Sequence, residues 1–441
     1  MPDEILVSII ARLPTTSTTR TSILSRRWKN LCEFVPDVEL DFSRWPHAWY
    51  QEDWYRSGVT INLLKNFVTH RLSSSSKIRS FKLRCCLTNL DLNQFENCIC
   101  SLGKSGLERL TLSFCNCCMS SDNNHPFPSR LLSEMPSVNY FRLVGYFLKP
   151  NLTTKYSNLL QTLSLTCVKA FPGGLECVLS NCSMLQSLSA VYCVFPSKIR
   201  FCGPNLPLKS LMMGSCQGIE EIEFYASNLV TFDFHHSQVV NFIFDHFPHL
   251  QSIYLEIKNN NIMPYVFGKL ATDLPRLESL SFASRADPIY QVNTGIGTFR
   301  ELRRLEMHLF GPPKINLLAV IPILESCPHL LEFHLDTANL QCNEEQVTDH
   351  NVFHSELRKV EIWGFKGTDN QIELALYLLR NALVLEQMRV CCCSKLYSVL
   401  SRAWHNLPAD PWSPETREDI RNKLQGQALS ENAQLIIQHA S

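Results

Sequence analysis

The sequence predicts an α/β repeat solenoid, a curved array of short stacked strands preceded by a short module of three helices. Three observations support this fold class. A pattern of the form apolar-x-x-apolar-x-apolar occurs thirteen times between residues 78 and 390. Successive occurrences begin 21 to 31 residues apart, close to the roughly 20–29-residue period of leucine-rich repeats. Before the first occurrence, residues 5–13 place apolar side chains at helical spacing.

The N-terminal module, residues 1–45, is predicted to hold three short helices. Pro2 suits a first helical position, and the apolar residues of 5–13 form one face of the first helix. The second and third helices are predicted over 18–24 and 25–35. Three short helices bury little core by themselves. We therefore expect their apolar faces to contact the repeats or another protein.

Residues 46–76 are predicted to be an aromatic connector followed by a capping helix. Trp and Tyr side chains are concentrated between Trp45 and Tyr55. This aromatic cluster would either fix the module against the first coil or bind a partner. Apolar residues at helical spacing from Val59 to Leu72 predict a helix that covers the open end of the repeat core.

Leucine-rich repeats are predicted over residues 77–350. The last apolar residues of each pattern alternate with polar ones, as in a strand with one buried face. A single coil cannot bury its apolar row alone, so neighbouring coils are expected to stack. Longer spacings near 173–180 and 319–326 leave room for a helical turn.

Two additional apolar patterns lie between the principal ones in the middle of the chain. They are Ile219/Ile222/Phe224 and Val239/Phe242/Phe244, each about ten residues after a principal strand. This offset is too short for an intervening helix. We therefore predict strands on both faces of the coil between about 208 and 256.

The nineteen cysteines favour free thiols in a reducing compartment, because the chain is long and has no predicted signal peptide. No paired C-x₂-C knuckles occur, and the adjacent His235 and His236 would point to opposite faces of a strand. The sequence therefore predicts no metal and no cofactor. Leucine-rich repeats prefer Asn or Cys three residues after the last apolar position of the pattern. Several of the cysteines occupy this position, namely Cys86, Cys115, Cys193, Cys216 and Cys393.

Charge and motifs exclude several function classes. Lys plus Arg and Asp plus Glu number 41 each, so no overall field favours nucleic acid or a membrane surface. No apolar run reaches the ~18 residues of a membrane span. Phosphate-binding glycine loops and nucleophile motifs are also missing from the sequence. We expect a non-catalytic recognition protein of the cytoplasm, the nucleus or both.

The outward residues of the later strands are predicted to be the face that binds a target protein. These positions are charged or aromatic in the C-terminal half, whereas serines such as Ser164 and Ser189 occupy them in the first half. Charged and aromatic side chains supply more recognition energy than serine. The ten candidates are Asp233, His235, Tyr254, Glu256, Arg304, Glu306, His308, Glu332, His334 and Trp363.

The repeat pattern stops after Val390, and residues 394–441 are predicted to be a C-terminal tail. Pro414–Leu424 has early acids and late basic residues, which predicts a helix. The tail would either cap the last repeat or form a loosely attached extension.

Two segments resemble a known family. Residues 2–14, PDEILVSIIARLP, and 20–31, RTSILSRRWKNL, resemble an F-box of the plant F-box/leucine-rich-repeat class. Residues 357–390 resemble the FBD domain that ends many of these proteins, here assigned to 351–393. The resemblance implies a substrate-recognition subunit of a Skp–cullin–F-box ubiquitin ligase. Its adaptor contacts would be Pro2, Ile5, Leu6, Ile9, Ile10, Leu13, Leu24 and Trp28.

Two departures from the family pattern leave alternatives open. The chain begins at Met1, where family members have a Leu preceded by further F-box residues, so we expect an N-terminally clipped first helix. Cys32 stands where the family often has Trp. One alternative is a non-ubiquitylating repeat scaffold whose clipped F-box no longer docks on the adaptor. Another is a small-molecule receptor that holds its ligand in the solenoid.

Overall fold

The computed structural model forms two compact units, residues 1–209 with 216–219 and residues 210–215 with 220–441. The residues that it describes are 1–13, 21, 23–42, 53–73, 77–85, 91–103, 105–114, 129–150, 159–202, 206–225, 228–245, 249–257, 262–285, 297–310, 317–339, 352–398, 403–407 and 410–438.

The first unit alternates short helices with short strands. Its elements are α1 (Asp3–Ile10), α2 (Arg26–Cys32), β1 (Asp37–Asp41), α3 (Asp53–Ser73), β2 (Ser80–Cys85), α4 (Leu92–Gly103), β3 (Arg109–Phe114), α5 (Ser129–Glu134), β4 (Tyr140–Val144), β5 (Phe147–Leu148), β6 (Thr162–Thr166), β7 (Lys169–Ala170), α6 (Gly174–Asn181), β8 (Ser187–Val191) and β9 (Lys198–Cys202).

The second unit is richer in strands. Its elements are β10 (Ser210–Gly214), β11 (Glu221–Tyr225), β12 (Thr231–His236), β13 (Asn241–Asp245), β14 (Ser252–Ile257), a π-helical turn (Tyr265–Leu270) leading into α7 (Ala271–Asp273), β15 (Ser279–Arg285), β16 (Arg304–Phe310), a 3₁₀ turn (Leu317–Val320) leading into α8 (Ile321–Glu325), β17 (Glu332–Asn339), β18 (Lys359–Trp363), α9 (Asp369–Asn381), β19 (Gln387–Cys391), β20 (Ser394–Ser398), β21 (Ala403–Leu407), α10 (Pro414–Leu424) and β22 (Gln434–Gln438).

Each of the thirteen apolar patterns forms a strand, as the spacing predicted. In the first unit, β1, β2, β3, β4, β6 and β8 pair in parallel in that order. The register aligns the apolar positions, so that Phe81, Leu110, Phe141 and Leu163 are successive partners, each fully buried. Burial of these apolar rows is the main stabilising contribution of the array, at roughly 1.5–3 kcal/mol per large side chain.

The second unit has the same kind of stacking. There, β10, β12, β14, β15, β16, β17, β18, β19 and β22 pair in parallel, and Phe232, Ile253, Leu280 and Leu305 form one buried row. The fold class predicted from the repeat, an α/β repeat array with a large parallel sheet, is therefore confirmed.

The predicted second set of strands is also confirmed. Strands β11 and β13 pair in parallel with each other, from Glu221 and Asn241 to Tyr225 and Asp245. Their phenylalanines meet those of β12 across the core, because Phe242 lies edge-on to Phe234 at 5.0 Å between ring centroids. A coil with a strand on each side needs no helix to close its core, which explains the short spacing here.

A left-handed turn recurs at the end of many strands. The second residue after the last apolar position has a positive φ at Gly145, Cys167, Tyr192, Ser215 and Gly364. The turn directs the next residue inward, and in two repeats that residue is a cysteine, Cys193 or Cys216, both buried. Cys393 is buried as well, whereas Cys86 and Cys115 lie outside the described residues. These buried thiols agree with the structural role that the repeat assigned to them.

The predicted helices near 173–180 and 319–326 are present as α6 and as the 3₁₀ turn with α8. The capping helix is present as α3, and its Phe67 ring stacks on Phe81 of β2 with 6.0 Å between centroids. Within the aromatic connector, Trp45 and Trp49 lie outside the described residues.

The tail follows the capping alternative. Strand β22 adds to the sheet in parallel beside β19, from Gln434 opposite Gln387 to Gln438 opposite Cys391. Helix α10 spans the predicted residues, and Ser413 caps it by accepting a hydrogen bond from the Thr416 amide at 3.1 Å. The buried Trp412 indole donates to the Phe365 carbonyl at 2.7 Å. The tail is therefore a packed part of the last coil.

Candidate functional site

The N-terminal module of residues 1–45, called the docking module from here on, has a small apolar core between α1 and α2. Leu6, Ile10, Leu31 and Val35 are buried against one another. At the module's surface, Arg27 binds the Asp3 carboxylate in α1, with distances of 3.0 Å from Nε and 2.6 Å from Nη2 to Oδ1. The predicted second helix, 18–24, lies mostly outside the described residues.

The eight predicted adaptor contacts separate into two groups. Leu6 and Ile10 lie in the module core, because helical geometry turns them toward α2 while Ile5 and Ile9 point away. Trp28 packs partly against that core. The exposed members of the set are Pro2, Ile5, Ile9, Leu13 and Leu24.

Two further exposed apolar residues were missed by the sequence analysis. Ile23 and Phe34 are 83% and 56% exposed. Phe34 lies two residues beyond α2, and its spacing of three residues from the buried Leu31 would have placed it on the core side of a continued helix, so the helical period gave no signal of its exposure. Large apolar side chains that stay exposed on a small module are typical of a protein-binding surface.

The strand face of the second unit is defined here as the side chains that alternate with the core positions of β12 to β18. The register arranges them in rows perpendicular to the strands. One row runs Asp233, Tyr254, Ser281, Glu306, His334 and Glu361. The next runs His235, Glu256, Ala283, His308, Asp336 and Trp363.

The structure brings the ten predicted target-face residues together on these strands, but most are not exposed. We expected all ten to be exposed because they point outward, and for six of them this is wrong. The other four, Asp233, Glu256, Arg304 and Glu332, are half-buried. The buried members are His235, Tyr254, Glu306, His308, His334 and Trp363. The reason is a segment that the sequence analysis treated only as tail.

A β-hairpin covers the strand face. It consists of β20 and β21, paired antiparallel from Ser394 opposite Leu407 to Ser398 opposite Ala403. Its Tyr397 ring stacks on Tyr254 with 4.2 Å between centroids, and its hydroxyl group is 3.1 Å from Asp233 Oδ2. The Trp404 indole stacks on His308 at 3.9 Å.

Lys395 places a cation between an acid and an aromatic ring of the strand face. Its Nζ atom is 3.4 Å from Glu361 Oε2 and 4.2 Å from the centroid of the Trp363 ring. Its backbone amide donates to Asp336 Oδ2 at 2.7 Å. Asp336 and Glu361, absent from the predicted set, occupy the same alternating positions as Glu306 and His308. The strand period would therefore have identified both.

The acids under the hairpin are held ionised. Burial opposes ionisation of Glu306, but the hydrogen bond and charge of His308 outweigh it and lower the pKa of this carboxyl to about 2. Burial likewise opposes ionisation of Glu361, yet the charges around it, with His334 and Lys395 among them, lower its pKa to about 2.

The two histidines shift in opposite directions. Burial would lower the pKa of His308, but the carboxylates of Asp336 and Glu306 raise it above its ordinary value. Burial dominates at His334 and lowers its pKa to about 4, against the opposing charges of Glu361 and Glu306. At neutral pH His334 is therefore a neutral group inside a charged cluster.

Several polar atoms under the hairpin lack hydrogen-bond partners among the described residues. These are His235 Nε2, His308 Nδ1 and both ring nitrogens of His334, of which the last three make only long contacts of 3.5–3.7 Å with the carboxylates of Asp336, Glu332 and Glu361. An unpartnered buried polar group costs about 1–3 kcal/mol. The hairpin therefore covers the strand face without satisfying it fully.

Within the described ranges, no cluster of three His, Cys, Asp or Glu side chains could hold a metal ion. None of the helices in the same ranges is both long and apolar enough to cross a membrane. The candidate sites considered below are two surfaces, the docking module and the covered strand face.

Comparison with known proteins agrees with this architecture. Residues 70–409 match the family described as "At1g61320/AtMIF1, LRR domain", and residues 1–37 match the F-box domain. The chain is 21% identical to the putative F-box protein At3g58860 of Arabidopsis thaliana over 417 residues, which are 88% of this chain and 87% of that protein.

Two further relatives from Arabidopsis thaliana have names that include both F-box and LRR-repeat. F-box/LRR-repeat protein 13 is 24% identical over 421 residues, 89% of this chain and 88% of that protein. F-box/FBD/LRR-repeat protein At1g80470 is 29% identical over 197 residues, 43% of this chain and 39% of that protein. The stacked repeats and the family match over 70–409 together show that this chain belongs to the leucine-rich-repeat family of plant F-box/LRR proteins.

Proposed function

We propose that the chain is the substrate-recognition subunit of a Skp–cullin–F-box ubiquitin ligase. In this role the docking module binds a Skp-type adaptor and through it a cullin scaffold, while the repeats hold a target protein. The observation that carries the proposal is the F-box match over residues 1–37, on a module whose outer face is apolar and exposed.

The exposed face has the composition of a docking surface. Ile5 and Ile9 lie one helical turn apart on the same side of α1, at 49% and 42% exposure. The core beneath them is made by the other side of the same helix. Substitutions on the outer side therefore test binding without removing core contacts.

The first experiment measures the affinity of the full chain for a purified plant Skp-type adaptor by isothermal titration calorimetry. Ile9→Asp places a charge in a surface that is dehydrated on binding, so we expect the affinity to fall at least ten-fold. Met184→Asp is the matched control, because Met184 is also 42% exposed but lies between α6 and β8. That variant should bind like the parent chain.

Undetectable adaptor binding by the folded parent chain at micromolar concentration would contradict the ligase role. The remaining interpretation would then be a repeat scaffold that binds its partner without ubiquitylation. Equal losses in the Ile9 and Met184 variants would contradict the placement of the adaptor surface on α1.

Three finer assignments belong to the same proposal. The assignment of residues 351–393 to an FBD domain is supported by a relative whose name includes FBD, and the other domain limits stay predictions. Location in the cytoplasm, the nucleus or both would follow from work with a cullin scaffold. A protein target is favoured over a small ligand. A small-molecule receptor would be indicated by a deep pocket lined with basic residues, whereas the covered strand face carries mainly acids and aromatic rings.

A cavity of about 400 Å³ lies elsewhere, beside α6 and β9. It is lined by one basic residue, Arg200, together with neighbours such as Glu176, Leu179 and Pro207. This mixture gives no concentration of positive charge for an anionic ligand, and the cavity is not part of the strand face.

A further inference from the structure

The hairpin formed by β20 and β21 contacts the strand face as a separate body. It forms its own two-stranded sheet and does not extend the parallel sheet beneath it. Two-stranded hairpins are marginally stable alone in water, so this one depends on its side-chain contacts. A hairpin held in this way can be displaced by another polypeptide segment that presents the same side chains to the strand face.

The strand face receives side chains of the hairpin at three places, and at a fourth Asp336 Oδ2 accepts hydrogen bonds from Ser394 Oγ at 2.8 Å and from the Lys395 amide at 2.7 Å. Glu361 and Trp363 hold the Lys395 ammonium group at 3.4 and 4.2 Å. The Tyr254 ring lies 4.2 Å from the Tyr397 ring, between centroids. These two recognised side chains are two residues apart on one strand, and therefore on the same side of the hairpin.

The third place receives the opposite strand of the hairpin. Trp404, the cross-strand partner of Tyr397, stacks on His308 at 3.9 Å. The other side of the hairpin is left in solvent, with Leu396 and Leu407 exposed. Apart from the hydrogen bond of Ser394 to Asp336 at the beginning of β20, the contacts with the strand face are made by one side of the hairpin.

The chemistry of the strand face fits a basic and aromatic polypeptide. Its acids are Asp233, Glu256, Glu306, Glu332, Asp336 and Glu361, and they outnumber permanently basic residues such as Arg304 and Lys359. Aromatic rings lie among them, and a ring beside a carboxylate binds an ammonium group by both charge and π contact. Concentrated negative charge disfavours a nucleic acid as the occupant.

The fit of the hairpin is incomplete. Among the described residues, His235 Nε2 is buried without a hydrogen-bond partner. Both ring nitrogens of His334 and His308 Nδ1 make only long contacts of 3.5–3.7 Å with carboxylates and no hydrogen bond. Permanent cores satisfy their buried polar groups. A different occupant can make the bonds that the hairpin leaves unmade.

We propose that the strand face recognises a target segment with a lysine two residues from a tyrosine, and that hairpin β20–β21 is an intramolecular stand-in for this segment. The target must displace the hairpin to bind, so the hairpin sets a threshold for recognition. This inference rests on the proposed role of the repeats in target recognition and names the chemistry of that same site.

The test uses a ring-closed, fluorescein-labelled peptide of residues 394–407 as the probe. Binding is measured by fluorescence anisotropy to the full chain and to a full-length variant in which these residues are replaced by a Gly–Ser linker of equal length. We expect the linker variant to bind at least ten-fold more tightly than the parent chain, in which the face is occupied.

Variant peptides define the recognised side. Tyr397→Ala and Lys395→Glu should each weaken binding to the linker variant at least ten-fold. Leu396→Ala, on the solvent side of the same strand, is the matched control and should change binding less than two-fold. Equal effects of all three substitutions would overturn the proposal.

A second protein variant guards against loss of folding. Tyr397→Ala/Trp404→Ala in the full chain loosens the hairpin in place, and this variant should also bind the peptide more tightly than the parent. Absence of binding to both variants would overturn the proposal. Loss of cooperative unfolding in the linker variant would overturn it too, since the hairpin would then be an obligate part of the fold.

Adaptor binding reports on the proposed function separately. The docking module belongs to the first unit and the hairpin to the second, so the linker variant should bind the adaptor like the parent. Peptide binding without adaptor binding would retain the recognition surface and contradict the ligase role alone.

Discussion

The polar sides of the strands differ between the two units although the repeat pattern is the same. In β4 and β6 of the first unit, buried and half-buried residues alternate along the strand. In β16 and β18 of the second unit, polar positions such as Glu306, His308 and Glu361 are buried as well. Serines such as Ser164 and Ser189 occupy the first surface together with half-buried charged residues such as Lys82 and Arg142, whereas acids with aromatic rings occupy the second.

This difference shows that the repeat determines where a side chain points but not what covers it. The inward rows are equivalent in both units, because stacking requires the same apolar core. The outward rows depend on the hairpin, which is present over only one of them. Burial of charge in the second unit is therefore a property of one contact and can be broken separately from the fold.

The largest effect is expected from Glu361→Ala. This carboxylate lies 3.0 Å from Lys359 Nζ and 3.4 Å from Lys395 Nζ, and it accepts the Trp363 indole hydrogen bond at 3.1 Å. Its loss leaves a partly buried ammonium group unpaired, so we expect the free energy of unfolding to fall by about 3–5 kcal/mol. Urea denaturation followed by circular dichroism measures this change.

The matched substitution in the first unit is Glu39→Ala. Glu39 binds Lys82 at 2.7 Å, but both side chains are more than a third exposed. Exposed pairs contribute up to about 1 kcal/mol, so this variant should be nearly as stable as the parent. Similar losses in both variants would contradict the burial of charge that distinguishes the second unit.

A smaller effect is expected from acid. The pKa of His334 is about 4 in the folded chain, below the unfolded value, so its stabilising contribution is complete above about pH 6.5 and is lost as the pH falls toward 4. The free energy of unfolding should decrease by roughly 2–3 kcal/mol across this window. Denaturation midpoints at successive pH values measure the decrease.

His334→Gln should flatten this profile. The slope that remains would come from groups such as His354, whose pKa burial also lowers. Glu306 and Glu361, with pKa values of about 2, keep their contributions until the pH falls below the ordinary carboxyl range. An unchanged profile in the variant would contradict the buried neutral state of His334.

The smallest effect concerns a feature that the units share. Gly145 and Gly364 end strands of different units with φ values of 82° and 65°. Alanine at either position should cost about 1–2 kcal/mol, because a Cβ atom disfavours left-handed backbone. Gly268→Ala is the control, since it has open space around a new Cβ, and it should not destabilise. Unequal costs at the two turns would show that the units differ in more than their covered face.

The sequence was sufficient for the strands because each one must bury the same apolar row. Phe81, Leu163 and Leu305 all lie where a short period of apolar residues placed them. The tail helix was found as well, because Ser413 and Pro414 mark its beginning. Features of this kind depend on neighbouring residues alone, so they can be recognised in the sequence.

The site was predicted only in part because its decisive contact is not local. Tyr397 meets Asp233, 164 residues earlier in the chain, and no spacing rule connects them. The hairpin also has Lys395 and Tyr397 on its buried side, where the binary pattern of a strand expects apolar residues. A segment of this composition is typical of an exposed loop. Prediction of the docking module was limited for another reason, because one side of α1 serves the core and the other side the surface.

A buried arginine has a mechanical consequence. Arg71 of α3 is 6% exposed and donates to the Val35 carbonyl at 2.9 Å, and β1 pairs with β2 directly after the module ends. Rotation of the module about this junction would strand a guanidinium group in the core. The buried contact therefore fixes the orientation of the module against the first coil, and a partner bound to α1 would also orient β1 and β2.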